Sequence, residues 1–406
     1  MWKVNKNGFL PETSPVSSTY ISASSMPSDK KKYGTVYLNS VFFLLDQFME
    51  SIPDLLKERK FREEVVSFLR IKNASVTGFI NSLEEGVEIE LVERLFKHYC
   101  YLASSYVHAL HENTANRLPA EIAVPLFKLS EFLKRKPILS YSCYALNNWE
   151  KIDPEKPIVV DNLKLQQNFS KDNKVDEDWF ILIHVDIEAR ARAGIYAISR
   201  YQNAHYTKDE NENIKNRDID FYEACLKDMC QSLVEMNKTM ARMPEKCSED
   251  FYFKAVRPFI FSFEDIRYEG VDKTFTLRGE TGAQSSIVPA YVAALDVQHK
   301  DTMLTKHLKD MRDYMPLEHR EFLRDLEAIR SCSKKYNFRE VSQENKNCKD
   351  LYNNCLKELY EFRKKHLEFA INYIQKKVDN PKGTGGTPFI PWLTKLKEET
   401  EDQYLK

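Results

Sequence analysis

A chain of long helices with few tight turns is what the sequence predicts, on three observations. Only 11 Gly and 16 Pro occur in 406 residues, while Leu, Glu, Lys and Arg are plentiful. Apolar side chains recur at steps of three and four in several segments, the spacing of one face of a 3.6-residue helix. No period of about 20–50 residues repeats, which excludes a solenoid.

The segments follow in order. Residues 1–35 are rich in Ser, Pro and Lys and read as a flexible tail. Several amphipathic helices are expected from Ser40 to about Leu133. The clearest is LPAEIAVPLFKLSEFLKR, with Pro119 near its start and Ile122, Leu126, Leu129 and Phe132 inside. KPILSYSCYALNNWEKIDPEKPI holds too much Pro and Asn for one helix, and its Tyr and Trp mark a connector that packs inward. EDWFILIHVDIEARARAGIYAI resumes the helix, and the run extends to Met243. Gly270, Gly279 and Gly282 make the segment from Phe263 to Ser286 a loop or short hairpin before a helix near Ser285. Residues 303–330 read as two helices broken at Pro316. The polar stretch 331–350 begins the next helix, and VDNPKGTGGTPFIPWL is a Gly/Thr loop followed by a short terminal helix.

Composition narrows the function. The 60 Lys and Arg nearly cancel the 61 Asp and Glu, so no basic excess points to nucleic acid or an anionic membrane. The opening MWKVNKNGFLPETSPVSS lacks the apolar core of a signal peptide. The run SVFFLLDQFM is interrupted by Asp46, short of the ~20 apolar residues of a bilayer span. Eight Cys without a CxxC pair read as reduced thiols of a cytoplasmic protein, not a disulfide frame or zinc site. GxSxG, HExxH, Rossmann and EF-hand signatures are absent.

Candidate chemistry rests on three places. In LYNNCLKELYEFRKKHLEFAINYIQKK, residues Tyr352, Cys355, Leu359, Phe362, His366, Phe369 and Tyr373 form one helical stripe, opposite Lys357, Glu361, Lys364, Lys365 and Glu368. An imidazole on such a dry face either finds a hydrogen-bond partner, the commoner case, or binds a ligand such as heme iron through a ring nitrogen. Arg257 lies among Tyr252, Phe253, Val256, Phe259 and Ile260. A guanidinium on an aromatic wall suits a carboxylate gripped by two parallel hydrogen bonds, or pairs with an acid elsewhere in the chain. His184, in the apolar run WFILIHVDIEA, either accepts a proton or hydrogen bond from a substrate or is another core histidine. The GTGGT loop, Gly383 to Thr387, lacks the Lys of a P-loop and suits a mobile lid or a linker.

LPAEIAVPLFKLSEFL, PILSYSCYALNNWEKIDPEKP, WFILIHVDIEARA, FYFKAVRPFI, RGETGAQSSIVP, MRDYMPLEHREFL, YEFRKKHLEFAINYI and KGTGGT, in this order over about residues 40–400, resemble the indoleamine 2,3-dioxygenase family. The resemblance implies an all-α fold: the tail, a small helical domain with connector over 36–160, and a large helical domain over 161–406 that holds heme b. It further implies that His366 is the proximal iron ligand and that Arg363 lies near a heme propionate. Phe180 and Ala283 belong to the cofactor pocket on the same ground. Arg257 would pair with the substrate carboxylate and Phe253 would lie over the indole, with Tyr141 a distal aromatic. Tyr252, Tyr144, Ile260 and Gly282 would complete the substrate pocket, and Thr384 the lid. Three positions depart from the vertebrate pattern. Tyr252 stands where a second Phe is usual, Tyr144 where a small Cys is common, and His184 where Ser is frequent. His184 matches in type the distal His of the related tryptophan 2,3-dioxygenases, so it is the candidate catalytic residue. The implied reaction adds both atoms of O2 across the indole C2–C3 bond of L-tryptophan to give N-formylkynurenine, the first step of the kynurenine pathway. The implied protein is a cytoplasmic monomer served by a cellular reductant, without nucleic-acid or membrane partners. Some proteins resembling the family are instead oxygen-binding, myoglobin-like carriers.

Overall fold

The structure, a computed structural model, describes residues 6–11, 14–15, 34–72, 74–83, 89–109, 112–172, 174–207, 219–332, 337–377 and 389–406. It is all-α with small strands at its margins. Helices α1 (Gly34–Lys57), α2 (Phe61–Lys72), α3 (Ala74–Asn81), α4 (Ile89–Val107) and α5 (Ala120–Phe132) pack on one another. Apolar residues of α4 at three- and four-residue steps, Leu91, Leu95, Tyr99 and Leu102, are buried. Pro119 stands just before α5, where a missing backbone N–H costs nothing.

The connector turns inward as its aromatic content predicts. After the π-helical turn Ser142–Leu146, strands β2 (Trp149–Lys151) and β3 (Leu163–Leu165) pair antiparallel. Trp149 is fully buried and donates its indole N–H to the Leu146 carbonyl at 2.9 Å.

Two long helices, α6 (Lys174–Thr207) and α7 (Ile219–Ala241), form the centre of the molecule, and α13 (Lys346–Tyr373) packs against α7. Close approach at this centre depends on Gly194 of α6. A Cβ there would lie 1.8 Å from the hydroxyl of Tyr291, on α9 (Ile287–Ala294), which itself donates to the Met229 carbonyl of α7 at 3.2 Å. The single turn α8 (Glu249–Phe251) runs into a π-helical turn at Tyr252–Val256 and a 3-10 turn at Arg257–Ile260. The expected hairpin follows as β4 (Phe263–Tyr268) and β5 (Lys273–Leu277), antiparallel, with β1 (Arg117–Leu118) parallel to β4. Gly270 makes its turn with φ +74. Helices α10 (Met303–Asp310) and α11 (Leu317–Cys332) flank the predicted break at Pro316, and α12 (Phe338–Glu344) precedes α13. The terminal helix α14 (Phe389–Glu401) lies on α13.

One expectation is corrected. Residues 6–11, read as part of a flexible tail, are packed: Phe9 and Leu10 are buried, and the Phe9 ring lies 4.5 Å from His319 and 5.5 Å from Phe322. Two large apolar side chains suffice to anchor a segment whose composition is otherwise that of a tail. No helix among the described residues is long and apolar enough to cross a membrane.

Candidate functional site

The stripe of α13 divides in two. Tyr352, Cys355 and Leu359 are buried in the core. One turn further, Phe362, Arg363, His366, Phe369, Ala370 and Tyr373 line a cavity of about 1150 Å³. Facing them, α6 contributes Phe180, His184 and Ile187, the turns after α8 contribute Tyr252, the connector Tyr141, and the post-hairpin loop Glu280, Thr281, Gly282 and Ala283. Phe389, Trp392, Leu393 and Leu396 of α14 close another side.

His366 is open to this cavity and enclosed by protein elsewhere, so burial pushes its imidazole down to about 4 and the ring is neutral at ordinary pH. No described residue hydrogen-bonds to it. A satisfied core histidine is therefore not what the structure holds. His184 contrasts with it. Its Nδ1 lies 2.7 Å from the Phe180 carbonyl one turn back. A carbonyl only accepts, so Nδ1 carries the proton and, in the neutral ring that burial favours, Nε2 keeps a lone pair. Both imidazoles line the same cavity.

The wall to which Tyr141 belongs is stitched together by polar bonds that the spacing of residues did not reveal. Tyr141 donates its hydroxyl to Oε1 of Glu188 at 3.0 Å, and Ser285 donates to the same oxygen at 2.9 Å. Glu188 is 1 % exposed, its Oε2 has no partner, and burial pushes its carboxyl up to about 7. Gln284 accepts the Tyr141 backbone N–H at 3.0 Å and donates to the Gly279 carbonyl at 2.9 Å, tying the loop to the connector. The Phe180 ring lies 4.8 Å from His184 and 4.7 Å from Tyr252.

Arg363 lines the cavity, yet much of its donor capacity goes to α14. Nη1 donates to the Leu396 carbonyl at 2.6 Å and to the Thr400 hydroxyl, and Nη2 donates to Nε2 of His299 at 3.2 Å. His299 in turn donates from Nδ1 to Glu399 at 2.7 Å.

Five predicted substrate residues lie off the cavity or outside the described residues. Phe253 is half-buried and does not line it, because neighbours on a helical turn project about 100° apart and Tyr252 takes the inward position. Tyr144 and Ile260 are buried one layer behind, Tyr144 in aromatic contact with Tyr101 and Phe169. Thr384 and the whole GTGGT segment fall outside the described residues. Arg257 is also off the cavity wall. Its guanidinium lies over the rings of Phe261, at 4.5 Å, and Phe253, at 5.5 Å, beside the chamber-lining Tyr252.

A sequence profile of the indoleamine 2,3-dioxygenase family matches residues 2–380. The chain belongs to the indoleamine 2,3-dioxygenase family. Indoleamine 2,3-dioxygenase 1 of Mus musculus is 28% identical over 381 residues, covering 87% of this chain and 88% of the mouse protein. Indoleamine 2,3-dioxygenase nanC of Aspergillus nanangensis is 28% identical over 337 residues, covering 74% and 78%. The myoglobin of Haliotis madaka is 23% identical over 373 residues, covering 88% and 90%.

An indoleamine 2,3-dioxygenase implies a heme, and the residues present fit one. Among the described residues no three His, Cys, Asp or Glu side chains converge as a metal site. A metal at His366 must bring its other ligands with it, as a porphyrin does. The imidazole is neutral and unclaimed by any described residue, and Phe362, Phe369, Ile187 and Val292 supply apolar wall to the same cavity.

Proposed function

We propose that this protein is a heme b-dependent dioxygenase that adds both atoms of O2 across the indole C2–C3 bond of L-tryptophan to give N-formylkynurenine. The observation that carries the reading is His366, a neutral imidazole without a hydrogen-bond partner among the described residues, on the wall of a large, aromatic-lined cavity. Heme bound there supplies the oxygen chemistry.

The chain's own residues then have positional tasks. His366 would hold the heme iron. His184, on the facing helix, accepts the indole N–H through its bare Nε2. Phe180, Tyr141 and Tyr252 provide aromatic wall for the ring, and Glu188 keeps Tyr141 from rotating away. Arg257 pairs with the substrate carboxylate, which requires its guanidinium to turn from Phe261 toward Tyr252. Arg363 keeps unspent N–H groups for a heme propionate while it holds α14. A cellular reductant would supply the electron that brings the heme iron to the ferrous state, and the cytoplasm is the compartment we propose.

His366→Ala should abolish the Soret band and turnover; heme retained at wild-type occupancy would remove the ligand assignment. The second reading is an oxygen-binding carrier without turnover. It is favoured by the myoglobin relative and by Arg257 lying off the cavity wall. Formation of N-formylkynurenine from L-tryptophan with a reductant separates the two, and its absence in heme-loaded protein leaves the carrier.

A further inference from the structure

We propose that Cys100 and Cys143 are a redox modification site, a thiol pair that hydrogen peroxide converts to a disulfide between α4 and the turn that follows Tyr141. The inference is independent of the indole-oxidising reading above.

Two elements far apart in sequence build the pair. Cys100 is buried on α4, and Cys143 is buried in the π-helical turn Ser142–Leu146. The two thiols share a hydrogen bond, with the sulfurs 3.9 Å apart and both residues 0 % exposed. A disulfide has its sulfurs about 2.05 Å apart, so roughly 2 Å of closure is needed, the scale of small side-chain rotations.

The surroundings treat the two sulfurs differently. Ser140 donates its hydroxyl to Sγ of Cys143 at 3.9 Å. Buried Arg135 is fixed beside the same turn: Nη1 donates to the Ser142 hydroxyl at 2.7 Å, the guanidinium pairs with Glu93 of α4, and it lies 4.9 Å from the centre of the Phe96 ring. A fixed cation and a hydroxyl donor both favour a thiolate. Burial resists ionisation of Cys143, yet the Cys100 thiol and Arg135 outweigh it and hold Cys143 below the ordinary thiol value. Burial and the Cys143 partner hold Cys100 well above it. Cys143 is therefore the attacking sulfur and Cys100 the resolving one.

The Cys143 thiolate attacks one peroxide oxygen. The O–O bond breaks, the other oxygen leaves as hydroxide and becomes water with the proton that Cys143 gave up, and a sulfenic acid remains. The Cys100 sulfur then attacks the sulfenic sulfur, the S–O bond breaks, and a second water leaves with the Cys100 proton. The two thiols lose two electrons, which the peroxide gains. An oxidant of nearly water's size reaches such a sealed pair as the turn opens locally, whereas a bulky disulfide does not. The bond would tie α4 to the turn next to Tyr141, a residue of the chamber wall.

The test treats the folded full chain, with and without heme, with hydrogen peroxide or oxidised glutathione. Free thiols are then alkylated in denaturant, and the peptides of an unreduced digest are weighed. Peroxide should link Cys100 to Cys143 in both preparations, dithiothreitol should undo the link, and oxidised glutathione should leave the pair reduced. Cys100→Ser should lose the link and let dimedone trap a sulfenic acid at Cys143. A pair still reduced after half-buried Cys230 is oxidised, a link formed only in denaturant, or a link that needs heme would each overturn the proposal, and none of these readings requires a variant to fold. Sulfenic acid trapped at Cys100 in Cys143→Ser would overturn the order of attack.

Discussion

Two imidazoles face one chamber, and their surroundings assign them different work. His184 has one nitrogen held by a backbone carbonyl, whereas His366 has neither held by a described residue. The first is fixed as an acceptor and the second keeps its ring nitrogens uncommitted among the described residues, as the proposed heme ligand would. His184→Ala is therefore expected to keep the Soret band and lower kcat/KM for L-tryptophan by about 10- to 100-fold, the scale of one hydrogen bond to a reacting group. An analogue methylated at the ring nitrogen should bind both proteins alike; a preference lost equally for methylated and unmethylated ligands would refute the acceptor role. His366 was legible because a stripe of seven residues at helical spacing isolates it. Glu188 and Glu280 were not, because an acid in IEARA or RGETG has the look of a solvated charge until the fold encloses it. Arg257 was legible as a buried cation, but its direction depends on which ring it stacks on, and local sequence does not encode that.

At the scale of elements, helix-by-helix spacing carried most of the architecture. The hairpin before α9, the break at Pro316 and the buried face of α13 all follow from patterns within one segment. What spacing does not report is how closely two helices approach. Gly194 looks like a weak point of α6, yet it admits the Tyr291 hydroxyl between α6 and α7. Gly194→Ala gains about 1 kcal/mol of helix propensity but overpacks the junction at a cost of about 1–3 kcal/mol and disturbs a buried hydrogen bond worth about 1 kcal/mol. The variant should melt at lower temperature than wild type, and Tyr291→Phe in the same chain should recover most of the loss. A single variant as stable as wild type would show that the junction repacks freely.

The whole molecule should have a stability plateau in pH. Burial holds His108 at about 4 and His319 at about 3 against an ordinary 6.5. Such depressed groups give stability that is present above 6.5 and lost as pH falls through that value toward 4 and 3. Glu177 and Glu280 are pushed up to about 8 and Glu188 to about 7, against 4.5. Their contribution has the opposite sign: full below 4.5 and lost as pH rises toward 8. The two trends oppose each other between about 4.5 and 6.5, so melting temperature should be level there and decline on both sides. Glu188→Gln should flatten the alkaline decline; an unchanged profile would place that carboxyl outside the linkage. This balance is a property of the assembled core, which is why no single segment announced it, and residues 6–11 were misread for the same reason.

Arg363 and Thr400 bind the last helix to the very helix that carries His366. The wall of the chamber is consequently finished by the chain's final turns. A change at Thr400 is therefore transmitted through one guanidinium to the helix that bears the imidazole, so the far end of the fold has a direct handle on the geometry of the chamber.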